Sequence, residues 1–248
     1  MDNNKEKEFY EKVGKTIGWD FSKIKYDVID NSEFVYFDEI NKNVDKNTIL
    51  LDIGTGGGEK LINQISNNCL IKVGTDFSDE MIKAAKRNID KKNNIKVFKM
   101  NSDKIQFPDE FFDIVCARHT PFNANEIYRV MKQQGKFFSE QIDEDDCSEL
   151  KKMFHRGQGY NVKIKLIKKI EEEMKKENFS EVKFFDIIQY EYYKTEEDLL
   201  FLLKNTPIIP QFGENKNDFE KFNKYVKNNI TDKGILLKRK LFGVKAIK

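Results

Sequence analysis

Short apolar runs alternate with helix-compatible segments over the first two-thirds of the chain. Apolar runs bounded by glycine or turn residues are typical of strands buried on both faces. The predicted strands cover residues 48–53, 70–75, 95–100, 111–117 and 136–142. The predicted helices cover residues 59–66, 78–89 and 124–131, and Ser78 is a suitable N-cap residue. Strands separated by single helices indicate right-handed crossovers and a parallel sheet with helices on both faces.

The last third of the chain has a different pattern. A charged helix over residues 162–177 is followed by a β-rich run over residues 181–193. Two further helices are predicted at residues 195–204 and 218–229, and a last strand at residues 235–247. The two strands are separated by about forty residues, far more than a hairpin needs. We therefore expect a helical insertion between them.

Composition excludes several classes of protein. Charged residues make up 35% of the 248 residues, but 21 Phe and 9 Tyr supply a core that a disordered chain lacks. No apolar run approaches the ~18 residues of a membrane span, and the N-terminus lacks the apolar stretch of a secretory signal. Cys69, Cys116 and Cys147 are too widely spaced for a metal or disulfide pattern, so we expect reduced thiols, no metal site and a cytoplasmic location.

The net charge of +2 is unevenly distributed. Residues 205–248 contain ten Lys and Arg against four Asp and Glu. A basic segment of this kind is a possible nucleic-acid footprint. A solvated surface is the stronger interpretation, because Lys and Asn are abundant throughout the chain and net charge bears on solubility before it bears on a partner.

The segment Asp52–Glu59, of sequence DIGTGGGE, lies between the first predicted strand and the first predicted helix. Its glycines permit close approach of a ligand, and in a doubly wound sheet this turn faces the ligand crevice. The G-x-G-x-x-G fingerprint of dinucleotide enzymes fails, because Glu59 stands where the third glycine would be. Asp76 closes the second strand, 22 residues after Gly54, and an acid there suits ribose hydroxyls.

Four stretches together resemble the class I S-adenosylmethionine (SAM)-dependent methyltransferases, in particular their branch of small methyltransferase domains. The stretches are residues 51–58, residues 74–78 with Met81, residues 101–109 leading into 112–115, and residues 126–131 with Gly135. The resemblance covers about residues 45–142. It implies an α/β fold with a doubly wound, seven-stranded, mostly parallel Rossmann-like sheet whose last strand is antiparallel. Residues 1–45 would form an N-terminal helical cap, and residues 46–248 the methyltransferase domain with a helical insertion at about 195–232.

The resemblance also implies cofactor roles for individual residues. The methionine part of SAM would be held by Gly54, Thr55 and Gly56, oriented by Asp52, and contacted by the backbone of Ala117 or Arg118. Asp76 would bind the ribose hydroxyls. The adenine would contact Phe77, Met81, Asn101, Ser102 and Asp103. Asn101 is a departure, because the family more often has an acid there, and residues 132–135 depart from the usual Lys-Pro-Gly-Gly turn.

Three residues are candidates for proton transfer, which is needed only if the nucleophile must lose a proton. His119 follows the fourth predicted strand, Glu140 lies near the end of the fifth, and His155 belongs to a glycine-containing segment. Arg118 and Arg156 are candidates for binding an anionic substrate. Tyr10 and Trp19 are candidates for covering SAM, or for ordinary packing.

Three functions remain open on this sequence. The leading hypothesis is methyl transfer by in-line displacement from SAM to a small-molecule acceptor, leaving S-adenosylhomocysteine (SAH). The second is methylation of an RNA nucleobase, because residues 197–207 slightly resemble bacterial 23S rRNA guanine methyltransferases, although their four-cysteine zinc module is missing here. The third is a SAM-binding protein that has lost catalysis.

Overall fold

A computed structural model of the protein describes residue 21, residues 23–89 and residues 94–248. These residues form a nine-stranded sheet. Its strands are β1 (Tyr26–Asp30), β2 (Ile49–Ile53), β3 (Ile71–Asp76), β4 (Ile95–Lys99), β5 (Phe112–Arg118), β6 (Met131–Ile142), β7 (Glu181–Tyr193), β8 (Ile230–Thr231) and β9 (Gly234–Ile247). The described helices are α1 (Tyr36–Asn41), α2 (Glu59–Asn63), α3 (Asp79–Asn88), α4 (Ala124–Val130), α5 (Ser148–Phe154), α6 (Leu166–Lys176), α7 (Glu196–Asn205) and α8 (Asp218–Asn229).

The strand order is β1-β7-β9-β6-β5-β2-β3-β4, and β8 pairs with β9 outside this path. The strands from β4 to β6 in this order pair in parallel, whereas β9, β7 and β1 add antiparallel pairs. The chain runs from β2 outward to β4 and then returns to β5, so the direction of winding reverses between β2 and β5. Ligands of open α/β sheets bind at the carboxyl ends of the strands at such a reversal.

The central strands are buried on both faces. Neighbouring residues such as Leu50 and Leu51 in β2, or Phe137 and Phe138 in β6, are all buried although they point to opposite sides. One core cluster packs residues of α4 and α6 against one face, and another packs residues of α1 and α2 against the other. Because helices cover both faces of the sheet, these strands carry apolar residues at consecutive positions instead of alternating apolar and polar residues.

The strands β7 and β9 extend past the carboxyl end of β6. Their pairing continues to Tyr193 opposite Ile235, whereas β6 ends with Ile142 opposite Leu241. Helices α5, α7 and α8 pack on this extension around a separate apolar cluster that includes Leu150, Leu199, Tyr193, Tyr225 and Leu237. We call this unit, the three helices with the ends of β7 and β9, the cap.

The fold predicted from the sequence is confirmed, and the bounds of β7 and α8 agree with the prediction. The helix at Ser148–Phe154 was not predicted, the helix expected from residue 162 begins at Leu166, and two further differences concern the sheet. The strand expected to begin at residue 136 begins at Met131, because residues 132–135 form an irregularity within β6 and not a turn before it. Residues 26–30, within the segment expected to be a helical cap, form β1, and β1 with the short β8 raises the strand number from seven to nine. Tyr10 and Trp19 lie outside the described residues.

The three cysteines Cys69, Cys116 and Cys147 are buried free thiols, as expected. Among the described helices, none combines the length and the apolar character that crossing a membrane requires.

Candidate active site

The glycine-rich segment forms the loop between β2 and α2, at the carboxyl edge of the sheet. Gly54 has φ +70°, and a Cβ atom there would lie 2.5 Å from Oγ1 of Thr120, which follows β5. Gly56 has φ +57°, and its amide donates to Oδ2 of Asp76 at 3.0 Å. Glycine at these two positions therefore lets the segments that follow β2, β3 and β5 approach one another at the point where the winding reverses.

Two buried acids flank this loop. Asp76 ends β3, and its Oδ1 atom accepts a hydrogen bond of 2.9 Å from the amide of Ser78, the N-cap residue of α3. Asp52 lies in β2 and forms no ion pair within the part of the chain that the structure describes. Burial raises the pKa of Asp52 to about 6, and the negative charge of Asp76 acts in the same direction. A cation bound beside Asp52 would stabilise its ionised form.

Two hydroxyl groups beside Asp52 lack hydrogen-bond partners. Oη of Tyr36 is buried without a hydrogen-bond partner among the described residues, and Oγ1 of Thr55, also buried, acts on the Asp52 carboxylate at a geometry that falls short of a hydrogen bond. Tyr36 lies close to the thiol of Cys116, at a geometry that leaves its hydroxyl unbonded. Buried polar groups in proteins are usually hydrogen-bonded, so these two atoms fit a polar ligand next to Asp52.

The residues predicted to surround a nucleoside lie after β3 and β4. Phe77 has 45% of its surface exposed, whereas Met81 in α3 is only 2% exposed and belongs to the core. Asn101 begins a turn in which its Oδ1 atom accepts from the amide of Asp103 at 3.0 Å, and Ser102 lies between them. The structure brings these residues to the same sheet edge as Asp76; their contacts with a nucleoside stay predictions.

A hydrogen-bonded group of three side chains lies at the carboxyl ends of β5 and β6. Oε1 of Glu140 accepts from Nε of Arg118 at 2.7 Å and lies 3.0 Å from Nε2 of His119. The parallel register places Arg118 directly opposite Glu140, and the backbone amide of His119 donates to the Glu140 carbonyl. His119 has φ +52°, and 29% of its side chain is exposed. Ala117, the residue before this group, is fully buried in β5.

Electrostatic interactions among Arg118, His119 and Glu140 determine the protonation states of these side chains. Burial raises the pKa of Glu140, but the Arg118 guanidinium and the hydrogen bond from His119 outweigh it and hold the pKa at about 2. Burial and the Arg118 cation lower the pKa of His119 to about 4, although Glu140 opposes them. At neutral pH, Glu140 is therefore ionised and His119 is neutral. The Nε2–H group of His119 donates to Glu140, which leaves Nδ1 with a lone pair that accepts a proton.

His155 and Arg156 lie in the cap. His155 follows the last residue of α5 at φ +53°, and no hydrogen bond or ion pair joins it to Arg118, His119 or Glu140 in the described residues. Arg156 forms an ion pair of 2.7 Å with the buried Asp218 of α8 and donates to the Pro210 carbonyl. Its position fits the internal structure of the cap better than binding of an anionic substrate.

Sequence reasoning missed two residues near this site. Tyr36 belongs to α1, and its burial beside Asp52 depends on packing of α1 against the sheet. Lys60, the second residue of α2, interacts electrostatically with both Arg118 and Glu140. The aromatic run Phe34–Phe37 hints at a packed segment, but only the fold shows where it packs.

Comparison with known proteins finds one matching family. The family model described as a methyltransferase domain matches residues 51–139. This range contains the glycine loop, Asp76, Arg118 and His119. No curated protein sequence matches.

Solved structures share the fold at low sequence identity. The YcgJ protein of Bacillus subtilis is 16% identical with a TM-score of 0.61, over 86% of this chain and 97% of that chain. The [4+2]-cyclase SpnF is 16% identical with a TM-score of 0.55, over 86% and 79% of the two chains. Phosphoethanolamine N-methyltransferase 2 of Haemonchus contortus, in complex with phosphomonomethylethanolamine and SAH, is 16% identical with a TM-score of 0.51, over 86% and 52%.

Proposed function

Because the chain belongs to the class I SAM-dependent methyltransferases, with its methyltransferase domain at residues 51–139, we propose that it transfers the methyl group of SAM to a small-molecule acceptor. The observation that carries this proposal is the hydrogen bond from the Gly56 amide to Asp76, which holds the glycine-rich loop against a buried acid at the point where the winding reverses. A similar fold binds SAH in the Haemonchus contortus enzyme. When bound, SAM supplies an electrophilic methyl group on a sulfonium.

The buried acids and orphaned hydroxyls fit the two ends of this cofactor. Asp52 would bind the ammonium of the methionine part, and Oη of Tyr36 and Oγ1 of Thr55 would gain the polar partner that they lack. The carboxylate of Asp76 would accept hydrogen bonds from the ribose hydroxyls. Phe77 would cover the adenine. Asp52 and Asp76 lie in parallel strands, and Thr55 and Phe77 follow those strands closely, so the site is largely formed before a ligand binds.

Acceptor and cofactor meet beside His119 and Glu140 in this proposal. In-line displacement depends mainly on alignment, which contributes about 7–11 kcal/mol in well-oriented reactions. Where the acceptor must lose a proton, Nδ1 of the neutral His119 takes it. Glu140 then stabilises the imidazolium through the existing hydrogen bond, and Arg118 keeps Glu140 ionised.

RNA methylation is less well supported by the structure than by the sequence. Four of the ten basic side chains in residues 205–248 form ion pairs with residues that the structure describes: Arg239 with Asp146, Lys240 with Asp143, Lys245 with Glu39 and Lys248 with Glu110. The basic segment is thus partly neutralised by the fold. No contact among the described residues favours RNA over a small molecule as the acceptor.

Calorimetric titration with SAM, SAH and NAD tests the cofactor assignment. We expect micromolar binding of SAM and SAH and none of NAD. Asp76→Ala should weaken SAM binding at least about tenfold, since a hydrogen bond to a charged group contributes about 1.5–3 kcal/mol. Asp186→Ala, which removes an exposed carboxylate of β7, is the matched control and should bind normally. Equal binding by both variants, or preference for NAD, contradicts the proposal.

A second experiment separates the three functions. The protein is incubated with methyl-labelled SAM and either a small-molecule extract or total RNA, and the label is followed. Label in small molecules supports the proposal, and label in RNA replaces it by the second hypothesis. SAM binding without transfer to either fraction supports the catalytically silent protein.

A further inference from the structure

Two buried side chains of β6 hold the backbone carbonyl groups at the end of β5. Nε2 of Gln141 donates to the Thr120 carbonyl at 3.0 Å and to Oγ of Ser139 at 2.8 Å. The Ser139 hydroxyl in turn donates to the Ala117 carbonyl at 2.8 Å. Ser139 is fully buried, and Gln141 is 4% exposed. Both N–H groups of the Gln141 amide are therefore used, and one of them holds the backbone at Thr120.

These hydrogen bonds act on a segment with an unusual backbone conformation. His119 has φ +52°, in the left-handed region that few non-glycine residues adopt. Its amide donates to the Glu140 carbonyl at 2.9 Å, and the carbonyl of the next residue, Thr120, accepts from Gln141. Such conformations persist where the surrounding contacts determine them. Consecutive residues of β6 thus fix the direction in which the chain leaves β5.

The side chain of Thr120 lies against the glycine loop. A Cβ atom at Gly54 would come within 2.7 Å of three Thr120 atoms, which are Cβ, Oγ1 and Cγ2. The Thr120 side chain therefore occupies the space beside the α-carbon of Gly54. The position of Thr120 sets how closely the glycine loop approaches the end of β5.

The glycine loop is thus supported from two sides. On the side of β3, the Gly56 amide donates to Asp76 at 3.0 Å. On the side of β5, Thr120 packs against Gly54, and the Gln141 amide holds Thr120 in place. A displacement of Thr120 would remove the second support and leave the first intact.

We propose that Gln141 is a positioning residue for the cofactor, because its amide holds Thr120 against Gly54 and so fixes the part of the site that binds the methionine part of SAM. This inference rests on the proposed function, since it assigns a support for the same cofactor site. Gln141 itself does not touch the cofactor in this proposal. The nucleoside part of the site, at Asp76 and Phe77, does not depend on Gln141.

Binding of SAH and of 5′-methylthioadenosine, which lacks the amino-acid part, tests this assignment. Gln141→Met removes both N–H donors and keeps the length of the side chain. We expect SAH affinity to fall about fivefold or more, and methylthioadenosine affinity to change less than about twofold, because one hydrogen bond that supports the methionine part is lost. Gln133→Met is the matched control. It removes an exposed amide at the other end of β6, which donates to Glu110, and should bind SAH normally.

A cycle of single and double variants separates positioning from a general loss of stability. Thr120→Ala shortens the side chain that lies beside Gly54 and should also weaken SAH binding. If Gln141 acts through Thr120, Gln141→Met should weaken SAH binding less than about twofold in the Thr120→Ala background. Losses that multiply in the double variant overturn the proposal, because Gln141 would then act independently of Thr120.

The remaining outcomes are also decisive. Unchanged SAH affinity in Gln141→Met, or equal losses of SAH and methylthioadenosine affinity, overturns the proposal. Thr120 is only partly buried, so Thr120→Ala keeps the test valid if Gln141→Met does not fold. That variant must weaken SAH binding and spare methylthioadenosine binding, and any other result overturns the proposal. A wild type that binds no SAH contradicts the proposed function itself, and this outcome is distinct because it precedes any substitution.

Discussion

Nε2 of His119 lies 3.0 Å from Oε1 of Glu140, at the adjacent ends of two parallel strands. A carboxylate in this position fixes which imidazole nitrogen carries the proton and leaves Nδ1 open. The same carboxylate oxygen is held by Arg118, so the arrangement is a chain of one cation, one anion and one neutral base. Because the imidazole of His119 is uncharged at neutral pH, its Nδ1 atom can accept a proton there.

We first predict that His119 titrates well below an ordinary histidine. The chain has only 2 His, so His155→Gln leaves a single imidazole to follow by NMR. Its pKa should be about 4, because burial and Arg118 disfavour the charged form. Glu140→Gln should lower it further, since Glu140 stabilises the imidazolium. A titration near pH 6.5 would mean that solvent reaches His119 freely and that Arg118 does not act on it.

Once a methyl acceptor is known, the role of His119 can also be tested through the rate of methyl transfer. If the acceptor loses a proton, His119→Gln should reduce kcat about 10²–10⁴-fold with little change in KM for SAM. With SAM saturating at every pH, the wild-type kcat should be flat above pH 5 and fall as His119 becomes protonated near pH 4. His155→Gln is the control and should retain activity. A reduction of the same size in both histidine variants would argue against a specific base.

The second prediction concerns Asp52 and the pH dependence of SAM binding. Asp52 has a pKa of about 6 because it is buried, and it must be ionised to pair with the ammonium of SAM. Affinity should therefore be constant above pH 7 and fall about tenfold per pH unit below pH 6, with proton release on binding there. Calorimetry in buffers of different ionisation enthalpy measures both quantities.

The matched comparison uses Asp52→Asn and a second ligand. Asp52→Asn should bind SAM more weakly and without this pH dependence. Methylthioadenosine lacks the ammonium and should bind the wild type equally at pH 5.5 and pH 7.5. If the variant keeps the full pH dependence, another group is titrating and Asp52 does not contact the ammonium.

The third prediction separates cofactor contact from core packing in two neighbouring residues. Phe77 is 45% exposed, so Phe77→Ala should leave the free energy of unfolding nearly unchanged and weaken SAM binding by about 1–3 kcal/mol, the range for base–aromatic stacking. Met81 is 2% exposed, and Met81→Ala should destabilise the fold by about 2–5 kcal/mol. Urea unfolding and SAM titration of both variants are the measurements. Equal losses of SAM affinity would place both side chains against the adenine.

How much of the fold and the site the sequence predicts depends on whether the stabilising interactions are local or join residues far apart in the chain. The glycine loop, Ser78 and the bounds of α8 depend on local spacing and are visible in the sequence. In contrast, β1 gains its stability by pairing Tyr26 with Tyr193, and no local pattern shows that contact. His119 and Glu140 were each candidates, but their contact follows from the register of β5 with β6.

The last prediction concerns the buried charges that join the cap to the sheet. Arg239 in β9 pairs with Asp146 at 2.9 Å and with Glu191 at 3.2 Å, and all three side chains are largely buried. Arg239→Met leaves two buried carboxylates without a cation, which should cost about 3–5 kcal/mol in the free energy of unfolding at pH 7. The adjacent Lys240 is partly exposed, so Lys240→Met should cost less than about 1 kcal/mol. Urea unfolding of both variants at pH 7 measures the difference. Similar costs for the two variants would show that solvent screens the Arg239 ion pairs.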